Sequence, residues 1–397
     1  MSNLSSRLPV VILAVAAFLI VTTEYLIVGL LPALARDLGI SISTAGQLVT
    51  LFAVVVALSG PPLTAALSHV DRKRLFVAIL VVFALANALA ASASSLWVLA
   101  IARFVPALAL PVFWGTASET AAKLAGADRA GQAVSRVYLG ISAALLFGIP
   151  LGTLIGDALG WRAAFWLLAV LCAVMAMTLA ATMPRIERSP RIHLRDQAAI
   201  FREPFFLGNV ALSVVVFVAM FTAYTYLADV LERLASVPSA QVGWWLMGFG
   251  AIGLVGNALG GKLVDRSPLA ATGGFVALLI VGMLAAFAMT GSRLGFLFAL
   301  AAWSIAYTAL FPVSQVRVMK SVTHSQALAG TTNVAAANAG IAVGAVLGGI
   351  AIPTWGLGSI GIVAGIAGVL ALAIIPLVNR LADRDTTLGI QPGTGRP

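Results

Sequence analysis

Long apolar runs broken by short polar segments are the first pattern along this chain. A helix crossing the hydrocarbon of a bilayer needs about 20 apolar residues. Twelve windows meet that requirement, near residues 10–32, 45–67, 75–93, 97–119, 135–157, 162–183, 207–228, 242–264, 271–290, 294–316, 328–352 and 357–379. Each predicts a spanning helix, because a lipid-exposed backbone must pair its own N–H and C=O groups. The first window is too long for a signal-peptide apolar core and lacks a small-residue cleavage site, so it is expected to be retained as a span. The pattern predicts an all-α membrane protein with twelve transmembrane helices.

Composition agrees with that pattern. Of 397 residues, 61% are hydrophobic and 10% charged, with a mean hydropathy of +1.04; soluble domains average about 25% charged. The net charge of +10 would ordinarily raise nucleic-acid binding. Placement excludes that here. With the N-terminus cytoplasmic, 19 of the 24 cations fall in inner segments, and four, Arg36, Arg162, Arg233 and Arg293, fall in outer loops. The positive-inside rule then puts both termini in the cytoplasm. The remaining cation, Arg103, falls inside a span. Cys172 is the single cysteine, and His69, His193 and His324 lie apart from one another, so no metal or other cofactor is expected.

The longest polar interruption, Pro184–Pro204, divides the chain into an N-terminal six-helix bundle (1–183), a cytoplasmic central loop (184–204) and a C-terminal six-helix bundle (205–397). Gly148, Gly152 and Gly160 recur 196 residues later as Gly344, Gly348 and Gly356, which predicts two pseudo-symmetric halves. Glycines at four-residue spacing, 152-156-160, 256-260 and 340-344-348, read as close helix contacts, or as surfaces along which helices move. Two nucleotide-like motifs lack their context. Gly248-Phe-Gly250-Ala-Ile-Gly253 has no preceding strand, and Gly256-x4-Gly261-Lys262 continues with Leu263 where a P-loop needs Ser or Thr. Energy for any transport would then come from an ion gradient or a substrate gradient.

Ionisable residues within spans are costly and mark function by default. Glu24, in Thr22-Thr23-Glu24-Tyr25, and Arg103 fall at comparable depth from the outer side. Low dielectric favours a neutral carboxyl group, whereas a nearby guanidinium favours the carboxylate. A Glu whose exposure to Arg changes between conformations would take up and release a proton; a static buried pair or a snorkelling Arg is the alternative. Glu119, Asp229 and Glu232 read as solvated helix ends, and Trp244 and Trp245 as interfacial belt residues. Substrate-facing candidates are Phe113, Trp114, Tyr224, Tyr226, Gln315, Asn333 and Asn338, since aromatic faces stack and amides hydrogen-bond hydroxylated solutes. Packing, anchoring and interhelical hydrogen bonding remain the alternatives for each.

These residues resemble the major facilitator superfamily, specifically its twelve-helix proton-coupled drug and sugar exporters. The resemblance lies in Thr22-Thr23-Glu24-Tyr25 with Val28-Gly29-Leu30-Leu31-Pro32, in Arg103, and in the antiporter-type Gly148-Ile-Pro150-Leu-Gly152-x3-Gly156 followed by Gly160-Trp161-Arg162. Gly261-Lys262-Leu-Val-Asp265-Arg266 and Asn338-Ala-Gly340-Ile-Ala-Val-Gly344 complete it. Within that family the chain most resembles bacterial sugar efflux transporters of the arabinose-exporter type. It departs at Thr64 and Ser68, where the first loop signature carries Gly and Asp, at Pro106-Ala107 in place of Gln-Gly, and at Leu110, where sugar-exporter relatives carry His.

The resemblance implies alternating access in the bacterial inner membrane. Glu24 and Arg103 would couple protons, Gly148, Pro150, Gly152 and Gly156 would form the antiporter seam, and Asp71, Arg72, Lys262, Asp265 and Arg266 would gate the cytoplasmic side. The reading is a non-enzymatic, monomeric, proton-coupled exporter of sugars or small drug-like solutes, whose partners are its solute, protons and the bilayer. Uptake of a sugar or nucleoside, and a non-transporting membrane receptor, are the alternatives.

Overall fold

A computed structural model describes residues 7–67, 70–125, 137, 139–184, 198–322 and 326–387. The first half contains α1 (Arg7–Leu38), α2 (Ile42–Leu67), α3 (Arg72–Ala91), α4 (Leu96–Ala125), α5 (Ile149–Leu159) and α6 (Trp161–Thr182). The second contains α7 (Pro204–Tyr224), α8 (Ser239–Arg266), α9 (Pro268–Ala288), α10 (Arg293–Lys320), α11 (Gln326–Trp355) and α12 (Ser359–Thr387). Twelve helical stretches are long and apolar enough to cross a membrane, each overlapping one of the expected windows. No strand occurs among the described residues. Most of the central loop, residues 185–197, lies outside them, as do His69, His193 and His324.

Two spans are not uniform α-helix. A π-turn, Ala144–Gly148, leads into α5. The seventh span breaks at Thr225–Tyr226 and continues through a short Leu227–Asp229 turn and a second π-turn, Val230–Leu234. The first span outruns its expected end near residue 32. Pro32 lies inside α1 without ending it. The helix stops at Gly39, whose φ of 62° follows from its lack of a Cβ, and the Ile40 N–H closes on the Ala35 carbonyl at 3.1 Å. Glu24 is therefore 14 residues, roughly 21 Å of helix rise, from the helix end at Leu38, farther than the sequence implied.

The chain forms two compact units, Met1–Ile192 with Leu227–Gly250, and His193–Tyr226 with Ala251–Pro397. The last part of the seventh span and the first part of α8 thus pack with the first six helices. In unit 1, α1 is surrounded: Leu13, Ala16, Ala17, Ile20, Leu26, Ile27, Leu31 and Leu34 have no exposed surface. In unit 2, α7 holds the corresponding role through Leu212, Val216, Ala219, Met220, Phe221 and Ala223. Apolar side chains on other helices, such as Leu85, Ile101, Val170, Val281 and Ile366, stay exposed, as lipid-facing positions do.

The repeat of 196 residues has a geometric counterpart within each unit. In unit 1 a Cβ on Gly148, Gly152 or Gly156 would collide with Thr22, Leu26 or Leu30 of α1, respectively. In unit 2 a Cβ on Gly340, Gly344 or Gly348 would meet α7 at Val214–Phe217, Val218–Thr222 and Thr222–Tyr226. The small residues let paired helices approach to backbone contact. Gly160 and Gly356, also 196 apart, both have φ of 86°. With ψ of 147°, Gly160 occupies a region closed to residues bearing a Cβ. Gly160→Ala and Gly356→Ala are each expected to cost about 1–3 kcal/mol, measured as a fall in the detergent-solubilised unfolding temperature; Gly261→Ala, where a Cβ meets open space, serves as the near-neutral control.

Candidate functional site

The site in unit 1 is built around one turn of α1. Arg103, from α4, is buried, and its guanidinium does not close on the Glu24 carboxylate. Its Nη1 donates to the Thr23 carbonyl and its Nη2 to the Glu24 carbonyl, both at 2.7 Å. Its carbon centre lies 4.2 Å above the Phe52 ring of α2, so the cation meets a polarisable face rather than hydrocarbon. Glu24 is itself buried, and Tyr25 hydrogen-bonds its carboxyl group. Asn87, on α3, donates from Nδ2 to Thr23 Oγ1 at 3.0 Å. The two residues are brought together through the main chain of Glu24 and its neighbour, and not charge to charge.

The glycines of the antiporter-type motif line the opposite side of that turn. Gly148 receives Thr22, Gly152 receives Leu26 and Gly156 receives Leu30, at a spacing of four on both helices. Pro150 sits at the start of α5, where its missing N–H is harmless. α8 approaches α5 just as closely: a Cβ on Gly243 would press on Leu154 and the Pro150 carbonyl, and one on Gly250 on the Leu145 carbonyl. The fingerprint-like Gly248-Phe-Gly250-Ala-Ile-Gly253 is thus continuous helix, and Gly250 is where α8 leaves unit 1.

The substrate candidates fall into two sets. Phe113 and Trp114, in unit 1, are edge-to-face at 5.5 Å, and Phe113 also contacts Phe76 at 5.8 Å. In unit 2, Tyr224 stacks on Tyr307 with ring centroids 4.3 Å apart, beside Phe217, Phe221 and Phe311. Tyr226 donates its hydroxyl to the Ala345 carbonyl at 2.8 Å, a tie between α11 and the seventh span. Gln315 Oε1 accepts from Asn333 Nδ2, and Asn333 Oδ1 accepts from Ser213, at 2.8 and 2.7 Å. Asn338 Nδ2 donates to Val334 of its own helix at 3.0 Å.

Arg317 completes this network and escapes sequence reading. Three residues from the end of α10, it counts as a loop cation by sequence. Instead it is 2% exposed and donates to the Asn209 carbonyl and side chain, both at 2.9 Å, and to Ser213 at 2.8 Å. Asn209, Ser213, Tyr307 and Phe311 were equally unmarked, since single polar or aromatic residues within apolar runs give no partner. Asn87 is the case with a usable signal: an amide midway along the apolar 75–93 window.

At the helix ends, Asp71 caps α3 by accepting the Arg74 N–H at 2.9 Å, and Arg72 is buried at the start of that helix. Asp265 pairs with Lys320 at 3.2 Å, while Lys262 and Arg266 are exposed. The side chain of Glu119 lies outside the described residues. Asp229 and Glu232 are not solvated ends. Asp229 is buried and pairs with Arg233 at 3.3 Å, and Glu232 pairs with Arg36 of α1 at 2.8 Å, where the Leu227–Asp229 turn packs against α1. Arg162 reaches Asp37 at 2.6 Å and the Ala93 carbonyl at 2.9 Å, fastening α6 to the C-terminal end of α1. Among the described residues no group of acidic, His or Cys side chains could hold a metal ion.

Among the described residues, twelve helices long and apolar enough to span a membrane define a polytopic membrane protein, and comparison with known proteins gives its family. Residues 13–336 match the Major Facilitator Superfamily, and the chain belongs to it. The chain is 34% identical over 350 residues to the inner membrane transport protein YdhP of Escherichia coli O157:H7, covering 88% of this chain and 90% of the relative. It is 29% identical to a probable sugar efflux transporter of Mannheimia succiniciproducens, with 91% of each covered. Among solved structures, a bacterial homologue of the human lysosomal transporter Spinster, inward-facing and unoccupied, shares the fold at a TM-score of 0.80 and 16% identity, covering 97% of this chain and 99% of that one.

The Arg36–Glu232 pair has an exposed arginine and a largely covered glutamate. Arg36→Glu and Glu232→Arg are each expected to lower the unfolding temperature, with the double swap restoring it. The coupling energy should be about 0.5–1 kcal/mol, read from a double-mutant thermal-unfolding cycle.

Proposed function

We propose that this chain is a proton-coupled exporter of sugars or small drug-like solutes, working by alternating access in the bacterial inner membrane with both termini in the cytoplasm. The observation that carries the reading is the buried Glu24, set one residue beyond the Thr23 carbonyl that Arg103 occupies. A carboxyl group removed from water has its neutral form favoured, and an approaching guanidinium restores the charged form. Glu24 therefore binds a proton while Arg103 is committed to main chain, and releases it when Arg103 turns to the carboxylate. The names of relatives, an inner membrane transport protein and a probable sugar efflux transporter, support export of a small solute.

In this reading the Gly148–Gly156 face gives α1 a smooth track against α5, and Asp265 with Lys320 closes part of the cytoplasmic side. Solute contact falls in the same reading to Phe113 and Trp114 within unit 1, and to Tyr224, Gln315, Asn333 and Asn338 within unit 2. Tyr226, bonded to the Ala345 carbonyl, holds the seventh span against α11 beside that set.

In proteoliposomes with an imposed pH gradient, Glu24→Gln is expected to abolish gradient-driven solute movement while leaving the unfolding temperature and downhill exchange of solute in place. Gradient-driven transport at the unsubstituted rate in this variant would overturn the coupling role. A panel of sugars, nucleosides and antibiotics in the same vesicles identifies the solute.

A further inference from the structure

We propose that Asn87 is a positioning residue for Glu24, acting through Thr23. The proposal rests on the reading of Glu24 as the proton-coupling acid. Asn87 is 1% exposed within a span where an amide is expensive to bury. Its Nδ2 donates to Thr23 Oγ1 at 3.0 Å and to the Phe83 carbonyl at 2.9 Å, whereas its Oδ1 has no hydrogen-bond partner among the described residues. Thr23 in turn donates to the Leu19 carbonyl at 2.9 Å and accepts Arg103 Nη1 on its own carbonyl at 2.7 Å. One residue of α1 is thereby held by its own helix, by α3 and by α4.

That grip decides what Arg103 can do. Each terminal nitrogen gives one N–H to main chain, to the carbonyls of Thr23 and Glu24, and Nε has no hydrogen-bond partner among the described residues. In this arrangement the guanidinium forms no fork onto the Glu24 carboxylate, the geometry in which Arg binds one best, and must turn to reach it. Holding Thr23 in place keeps Arg103 on the main chain and leaves the Glu24 carboxyl group to the proton. The titratable or charged groups acting on Glu24 are Arg103 from α4 and Tyr25 from α1 itself. α2 and α3 bring the uncharged Phe52 and Asn87, and Arg72, Lys73 and Arg74 sit at the far end of α3. α5 carries only Asp157, exposed near its outer end. Arg162 of α6 and Asp229 of the Leu227–Asp229 turn are engaged with Asp37 and Arg233.

The test is the pH profile of solute transport in proteoliposomes for Asn87→Ala, Thr23→Val and Thr23→Ser. Loss of the Asn87–Thr23 bond frees Arg103 to pair with Glu24, so proton binding weakens. The midpoint of the profile is expected to fall by about one pH unit, tenfold in proton affinity, in both Asn87→Ala and Thr23→Val. Thr23→Ser, which keeps the hydroxyl, is expected to retain the unsubstituted midpoint, and the double variant to shift no further than either single one. Thr23→Val is isosteric and keeps the test usable where Asn87→Ala does not fold. An unchanged midpoint in Thr23→Val, alongside a pH dependence that Glu24→Gln removes, overturns the positioning role and leaves the Glu24 reading intact. Unchanged pH dependence in Glu24→Gln overturns that reading itself, and this proposal with it.

Discussion

The hold of Arg103 on two adjacent carbonyls of α1 is the interaction on which the first unit's functional turn depends. Hydrocarbon supplies no hydrogen-bond partners, so a charged side chain at this depth must find them in protein. Main-chain carbonyls in a helix retain a lone pair after their helical bond, and Arg103 uses two of them. The arrangement fixes α4 to α1 at one point and makes Glu24 part of the same rigid turn. Thr23 and Phe52 then become constrained by geometry rather than by composition.

The same economy governs the rest of the interior. Apolar side chains gain little from leaving lipid for protein, so close packing and hydrogen bonds decide which helices touch. Glycines in α5 take up Thr22, Leu26 and Leu30 of α1, and glycines in α11 take up the backbone of α7. Polar ties are few and internal: Tyr226 to Ala345, Ser213 to Asn333, Arg317 to Asn209. Arg317 shows how far neutral groups can go in holding a buried cation, for its hydrogen-bond partners are a carbonyl, an amide and a hydroxyl.

Hydropathy made the twelve spans legible, because crossing a bilayer imposes a length that soluble folding does not. The repeat was legible in three glycines, and the 86° backbone angle shared by Gly160 and Gly356 is its physical content. Glu24 and Arg103 stood out because charge in an apolar run is conspicuous. Their contact did not, since the partner atoms are carbonyls and carbonyls have no sequence signature. Asp229 and Glu232 were misread as solvated because their pairing with Arg233 and Arg36 leaves no mark in hydropathy. Pro32 suggested a helix end that Gly39 in fact supplies, since a proline removes one N–H while a left-handed glycine redirects the chain.

Arg36 and Glu232 stand 196 residues apart, the interval that separates every repeated glycine in this chain. They are the same position written twice, once as a base and once as an acid. Two identical copies of the repeat would bring like charge to like charge there, and the contact would repel. At this contact the two repeats differ in sign, and the opposite charges hold together a place that equal ones would push apart.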